Sequence, residues 1–386
     1  MVNYDVAVIG GGAAGLACAV TLKKKNRNIS VLVIESGARA GRKIAASGNG
    51  QGNIANADVS VRHYHGSGKA AAERLCVSGA YDHMSLFDFL FVTDKSGRIY
   101  PAGKQASALS DSLIKSAEKL GVEVLLSTEV TGVDKGFGLT LSDGKIIGAR
   151  FVVLAAGGKA QKQFGTDGSG FTLAKSLGHT VTPLYPSLVQ LKCDTRHIKT
   201  LKGIRAECIV RSDGGAEASG DVIFTDYGLS GNAVFSISSH LVGKTGATVS
   251  IEFLPQFEKG QIKEIIERRR AAGYPQEELL CGTLHNQIAR AIAKRCGCSD
   301  PEKLASLVKN FTVEVNGTLG FDYAQVTAGG VPFSEIDENL QSKIVPNLYL
   351  VGEVTDVDGD CGGYNLTWAF CSGMHAANAI CGELEK

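Results

Sequence analysis

The sequence lacks an excess of charge of either sign. Lys and Arg number 40 against 39 Asp and Glu, a formal net charge of +1. A general nucleic-acid binder would be strongly basic, so no nucleic-acid partner is expected. A disordered or acidic-tail protein is excluded by the 44% hydrophobic content. Apolar runs of bilayer-spanning length, about 20 residues, are absent, which predicts no membrane span. The start, Met1-Val-Asn-Tyr-Asp5, has no positive n-region and places an acid before the first apolar stretch, unlike a signal peptide. The ten cysteines form no CxxC pair and no iron–sulfur run, so neither a disulfide framework, a zinc ribbon nor any other metal site is expected. Cys296 and Cys298 read as two free thiols at a helix end, and His63 and His65 as a solvated segment rather than metal ligands. Together these absences predict a reduced, cytoplasmic protein that is a monomer or small homo-oligomer.

What is present in excess is glycine, 48 of 386 residues. That is about 12% against a usual value of about 7%, without a G-X-Y period. Such a surplus serves tight turns or close approach of backbone to a ligand. Residues 4–9 read as a buried strand, then a glycine loop, a helix through Leu22 and a second buried strand at 30–34. Gly10-Gly-Gly12-Ala13-Ala14-Gly15 matches G-x-G-x-x-G inside that βαβ unit. Glu35 follows about 20 residues after Gly15, the spacing of a ribose-binding acid. Gly10 allows the turn, Gly12 the approach of a pyrophosphate, and Gly15 close helix–strand packing. The helix N-terminus offers unpaired N–H groups to phosphate.

An acid at 35 favours an unphosphorylated ribose, hence FAD or NAD. The cations Arg42 and Lys43 after Ser36, the strand–loop ending Ala156-Gly157-Gly158, and the stretch ending Gly352-Glu353 tilt the choice to FAD. Gly165 to Gly170 has no strand leading into it and reads as a tight packing loop, not a second nucleotide site. Further along, a helix is expected at 107–120, a strand at 122–126, and a hairpin with an Asp-Gly turn at 142–144. A buried strand follows at 151–155 and a helix at 171–177. Strands at 204–210, 221–225 and 247–253, a helical stretch 256–310 and a strand from Phe311 mark a change of character.

The landmarks in order are Gly10–Gly15 with Glu35, then Gly41 to Gly50 and Asn53, and Arg98-Ile-Tyr-Pro101. After these come Phe224 to Gly231, Thr327 to Val331, and Gly352 to Leu366. The sequence so read resembles the BaiN-type, aminoacetone-oxidase-type FAD flavoproteins of bacteria. The resemblance implies an α/β, Rossmann-like FAD-binding domain of the two-dinucleotide-binding flavoprotein type, formed by 1–190 and 319–386. A β-rich insertion (191–255 with 311–318) and a helical subdomain (256–310) would interrupt it. FAD would be held by Gly10, Gly12, Ala13, Ala14, Gly15, Glu35, Ser36, Arg42, Lys43, Ser47, Gly48, Asn49 and Asn53. Val130, Ala156, Gly157, Gly158, Gly352, Glu353, Gly362, Gly363, Tyr364, Asn365 and Leu366 would complete the site.

The implied activity is hydride transfer through flavin N5 to a small or medium organic substrate. The lean is to reduction of a carbon–carbon double bond conjugated to a carbonyl, with NADH or NADPH as a transient donor. Oxidation of an amine by O2 is the alternative, and a flavin-binding redox sensor without turnover a further one. A tRNA-modifying flavoprotein is set aside because no basic tract is present. No acid–base residue stands out; Tyr227, Cys361 and Tyr364 are the weak catalytic candidates. One departure is visible. The family pattern Ser-Gly-x-Gly-Arg-Cys-Asn becomes Ser47-Gly-Asn-Gly-Gln51-Gly52-Asn53, which predicts a cation and a thiol missing near the flavin.

Overall fold

The computed structural model describes residues 3–241, 244 and 246–385. The chain divides into two compact units, 1–185 with 326–386, and 186–325. In the first unit, β1 (Asn3–Ile9), α1 (Ala13–Lys25) and β2 (Val31–Ile34) form the expected crossover, with β1 and β2 parallel from Val6↔Val31 to Ile9↔Ile34. The seven-stranded sheet runs Glu123–Leu125, β2, β1, Ile146–Leu154, Gly138–Leu141 and Val130–Val133, and Leu348–Leu350 lies parallel on Ile146–Leu154. Near-continuous Val, Ile and Leu runs suit strands covered on both faces. Val6, Val8, Leu32, Val33, Val152 and Val153 are accordingly buried.

The expected hairpin arm and the expected strand at 151–155 are one strand, Ile146–Leu154. Its first residues pair antiparallel with Gly138–Leu141 and its last with β1 in parallel. The continuity of that strand is hidden in the sequence because Gly148 and Arg150 interrupt the apolar run between Ile147 and Phe151. The C-terminal helix, Tyr364–Leu384, packs on α1 so closely that a Cβ at Gly373 would overlap the carbonyl of Ala14. A three-stranded sheet that the sequence pattern does not announce joins Ala55–Asn56, Arg98–Pro101 and Phe91–Thr93. Its strands are too short for a period-2 signal.

The second unit is a closed barrel of six strands: Leu191–Cys193, Gly228–Ser230, Glu217–Phe224, Arg205–Ser212, Thr248–Glu252 and Phe311–Thr318. Closure leaves no unpaired edge. Val210, Val222, Phe224, Val249, Ile251 and Phe311 fill it, and Ile262, Ile266, Ile288, Ile292, Leu304 and Val308 bring helices 259–271, 286–296 and 301–309 onto the same core. Asp300 caps the last of these, accepting from the Glu302 N–H at 2.9 Å, with Pro301 in the first turn. The fold is therefore a Rossmann-like FAD-binding fold carrying an inserted barrel and helical segments. Among the described residues no helix is long and apolar enough to cross a membrane.

Candidate functional site: a glycine-lined dinucleotide cradle

β1 delivers the chain into a turn that only glycine can make. Gly10 has φ +106°, and a Cβ there would lie 2.5 Å from the carbonyl oxygen of Ala155. A Cβ on Gly15 would overlap the Gly10 carbonyl. Gly12 differs: a Cβ there meets nothing within 4 Å. Packing thus explains Gly10 and Gly15, whereas open space lies over Gly12. Gly12 is also the N-cap of α1, which has no side-chain cap and no acid in its first turn. The first N–H groups of α1 face that space unsatisfied, which is what a pyrophosphate requires.

Glu35 at the end of β2 reaches back to this loop. Its Oε2 accepts from the Gly11 N–H at 2.8 Å and its Oε1 from the Gly37 N–H at 2.7 Å. Each oxygen keeps a lone pair for a ribose hydroxyl. Arg42 donates to the carbonyl of Gln163, and Gly165 (φ +94°) lies near Ser36, Glu35 and Arg42. The 165–170 loop therefore packs beside Glu35.

A second group forms around Glu353. Lys43 Nζ is 2.9 Å from its Oε2, and the Thr327 N–H donates to its Oε1 at 2.8 Å. Thr327 Oγ1 in turn accepts from the N–H groups of Lys159 and Ala160 at 2.7 and 3.1 Å. A Cβ on Gly158 would lie 2.5 Å from both Glu353 Oε1 and Thr327 Oγ1. Lys43, Gly158 and Glu353, distant in sequence, are thus brought together. Thr327 opens the Thr327–Val331 landmark but is not among the residues expected to hold the cofactor. Gly352 (φ +71°) accepts from Trp368 Nε1 at 3.1 Å and abuts Ala14.

The remaining positions are placed as follows. Gly48 and Asn49, both with positive φ, are exposed, and Ser47 Oγ donates to the Ile44 carbonyl at 2.7 Å. Asn53 is buried, with its amide nitrogen spent on the carbonyls of Ala55 and Ile99. Val130 is a buried strand residue, and Gly157 (φ +74°) follows Ala156 at the end of the central strand. Gly363 (φ +101°) caps the C-terminal helix, and a Cβ there would be 2.7 Å from the Ala55 carbonyl. Asn365 exchanges hydrogen bonds with Gly359 at 2.8 and 2.7 Å, and Leu366 is half-buried.

Of the catalytic candidates, Tyr227 belongs to the second unit, where its carbonyl accepts from the Cys193 N–H. Burial pushes the Cys361 thiol up, away from a reactive thiolate. Burial also raises the Tyr364 phenol.

Glycine at 52 has a packing reason of its own. Gly52 has φ +78°, and a Cβ there would sit 2.9 Å from Leu109 Cδ1 and 3.0 Å from Ala106 Cα, against the helix 106–120. His63 and His65 are not a solvated pair. Both are half-buried and both meet Asp360, at 2.9 and 2.8 Å. Cys296 and Cys298 are free thiols with sulfurs 3.5 Å apart, as expected.

An uncapped helix over an open glycine, with an acid on the next strand, defines a dinucleotide-binding flavoprotein site, and the residues present fit FAD. The class is an FAD-dependent oxidoreductase. The family described as "HI0933-like protein Rossmann domain" matches residues 4–379, and the chain belongs to it. It is 33% identical to the 3-dehydro-bile acid delta(4,6)-reductase of Clostridium scindens, over 97% of this chain and 98% of that one. It is 31% identical to the ribosomal RNA dihydrouridine synthase of Escherichia coli, over 98% of each. Among solved structures, 3-ketosteroid delta1-dehydrogenase from Sterolibacterium denitrificans, in complex with 1,4-androstadiene-3,17-dione, has the same fold. The TM-score is 0.54 at 13% identity, covering 99% of this chain and 100% of that one.

Proposed function

We propose that this enzyme is a reductase of the BaiN type, saturating a carbon–carbon double bond conjugated to a carbonyl, with electrons from NADH or NADPH. The observation that carries the reading is a reacting group shared by two relatives with unlike substrates. A 3-dehydro bile acid with Δ4,6 unsaturation is a dienone, and dihydrouridine is uridine with the double bond next to its C4 carbonyl saturated. FAD, when bound, supplies the hydride. The chain's own residues bind and orient it. The N–H groups of Ala13 and Ala14 with Gly12 would take the pyrophosphate, and Glu35 would take a ribose. Lys43 and Glu353 would also hold the cofactor. The first turn of the C-terminal helix, at Tyr364, Asn365 and Leu366, would offer its positive end to the flavin. Ten free cysteines fit a reducing, cytoplasmic setting.

A nucleic-acid substrate is the second reading, favoured by the ribosomal RNA relatives and against the neutral charge balance. The test is anaerobic turnover with NADH or NADPH against three acceptors: a 3-oxo-Δ4 steroid, a simple cyclic enone and ribosomal RNA. A saturated product formed mole for mole with nicotinamide oxidised is expected from an enone. Dihydrouridine in the RNA alone would transfer the reading to nucleic acid. Amine-dependent O2 uptake with peroxide release, and no enone reduction, would overturn it in favour of an oxidase.

A further inference from the structure

Three acid–base side chains from opposite ends of the sequence converge on the turn that opens the C-terminal helix. Asp360 Oδ2 meets His63 Nδ1 at 2.9 Å, and Asp360 Oδ1 meets His65 Nε2 at 2.8 Å. The other nitrogen of His63 lies 3.0 Å from Asp58 Oδ2. The Tyr364 ring stacks on His63, with centroids 4.4 Å apart and planes at 16°, and its hydroxyl donates to the Asp58 carbonyl at 3.0 Å. The backbone joins in: His65 pairs with Asp358 and Tyr64 with Gly359, and the Asp360 N–H donates to the His63 carbonyl at 2.9 Å. On the other flank, Asn56 Nδ2 donates to the Gly362 carbonyl at 3.1 Å. The turn 360–363 is therefore clamped from both sides.

The electrostatics match an ionic clamp. Burial acts to raise the Asp360 carboxyl, but the hydrogen bonds from His63 and His65 outweigh it and hold it at about 2. The hydrogen bond to Asp360 pushes the His63 imidazole up, against the opposing effect of burial, with help from Asp58. A charged imidazolium between two carboxylates is held more firmly than a neutral ring would be.

This clamp ends at Tyr364, the first residue of a 21-residue helix with no side-chain cap and no acid in its first turn. The dipole end of that helix is left for something outside the helix to satisfy. We propose that His63 and Asp360 are positioning residues that fix this uncapped first turn toward the flavin, so that they set the flavin's reduction potential as well as its retention. The proposal rests on the flavoprotein reading and assigns no proton transfer to the cluster.

The test compares the FAD-loaded protein with His63→Phe, which keeps a ring on Tyr364 but loses both carboxylates, and with Asp360→Asn. The exposed Lys145→Ala serves as control. The readouts are the visible bands of the bound flavin, its midpoint potential, and the flavin retained on desalting. If position matters, both variants misalign the helix end and both potentials move negative. FAD should then dissociate on the order of tenfold more readily, the scale of a well-aimed helix terminus. If only charge matters, losing a cation and losing an anion move the potential in opposite directions. Opposite shifts, or none in either variant, overturn the proposal. His63→Gln gives the same reading should phenylalanine prevent folding. A parent protein that purifies and reconstitutes without flavin would instead sink the flavoprotein reading itself.

Discussion

Two histidine–carboxylate clusters in the nucleotide-binding unit use similar residues to different ends. At one, His179 Nδ1 meets Glu335 at 2.8 Å and Nε2 meets Ser342 Oγ at 2.8 Å. That is the composition of a Ser-His-acid triad. Yet the His179 side chain is fully buried, and Ser342 Oγ accepts from the N–H groups of Ile344 and Val345 at 3.0 and 2.9 Å. Glu335 is also occupied by Thr180. Each of these polar groups has a partner within the unit, and together they hold the 335–345 loop. At the other, His63, His65 and Asp360 are half-buried and abut a helix end that nothing in the helix caps. Residue type does not separate a strut from a site; the unsatisfied groups next to it do.

The comparison can be broken most sharply at the buried cluster. His179→Ala leaves Ser342 and Glu335 without their shared partner and should cost about 3 kcal/mol of stability. The flavin spectrum of the folded fraction should not change; denaturant unfolding and absorbance measure both.

A third histidine sharpens the contrast. His83 is fully buried without a carboxylate, and burial pushes it down to about 4. Its folded value lies below the unfolded one, so the unfolded chain takes up the proton first as pH falls. Stability is therefore lost between about pH 6.5 and pH 4, by about 3 kcal/mol, and His83→Leu should flatten that slope in unfolding curves taken across the range.

Asp360 has the opposite place on the pH axis. Its lowered value contributes stability that is present above the unfolded value near 3.8 and lost as pH falls through about 2. The size is on the order of 2 kcal/mol, and Asp360→Asn should remove this acid-side loss. The smallest effect is expected at Arg62. Its exposed pair with Asp58 should be worth under about 0.5 kcal/mol, so Arg62→Ala should leave the unfolding midpoint nearly unchanged.

Much of the cradle is legible in the amino-acid sequence. Gly10, Gly12, Gly15 and Glu35 lie within one local βαβ unit, where spacing alone carries the geometry. The barrel strands announce themselves by β-branched runs, with boundaries shifted by a few residues: 221–225 is the end of a longer strand, Glu217–Phe224. The Asp360 cluster is not legible. Its partners are 297 and 295 residues apart, and what joins them is a two-residue ribbon with no pattern of its own. At Gly52, φ is +78° and a Cβ would point into the helix 106–120. Gly52→Cys should accordingly lower the midpoint of denaturant unfolding.

The most direct measurement is an anaerobic visible spectrum of the purified, FAD-loaded protein, with NADH and then NADPH added. A flavin band bleached by one of them, and restored by a conjugated enone, is the predicted result. A band untouched by both nucleotides and bleached by an amine would contradict it.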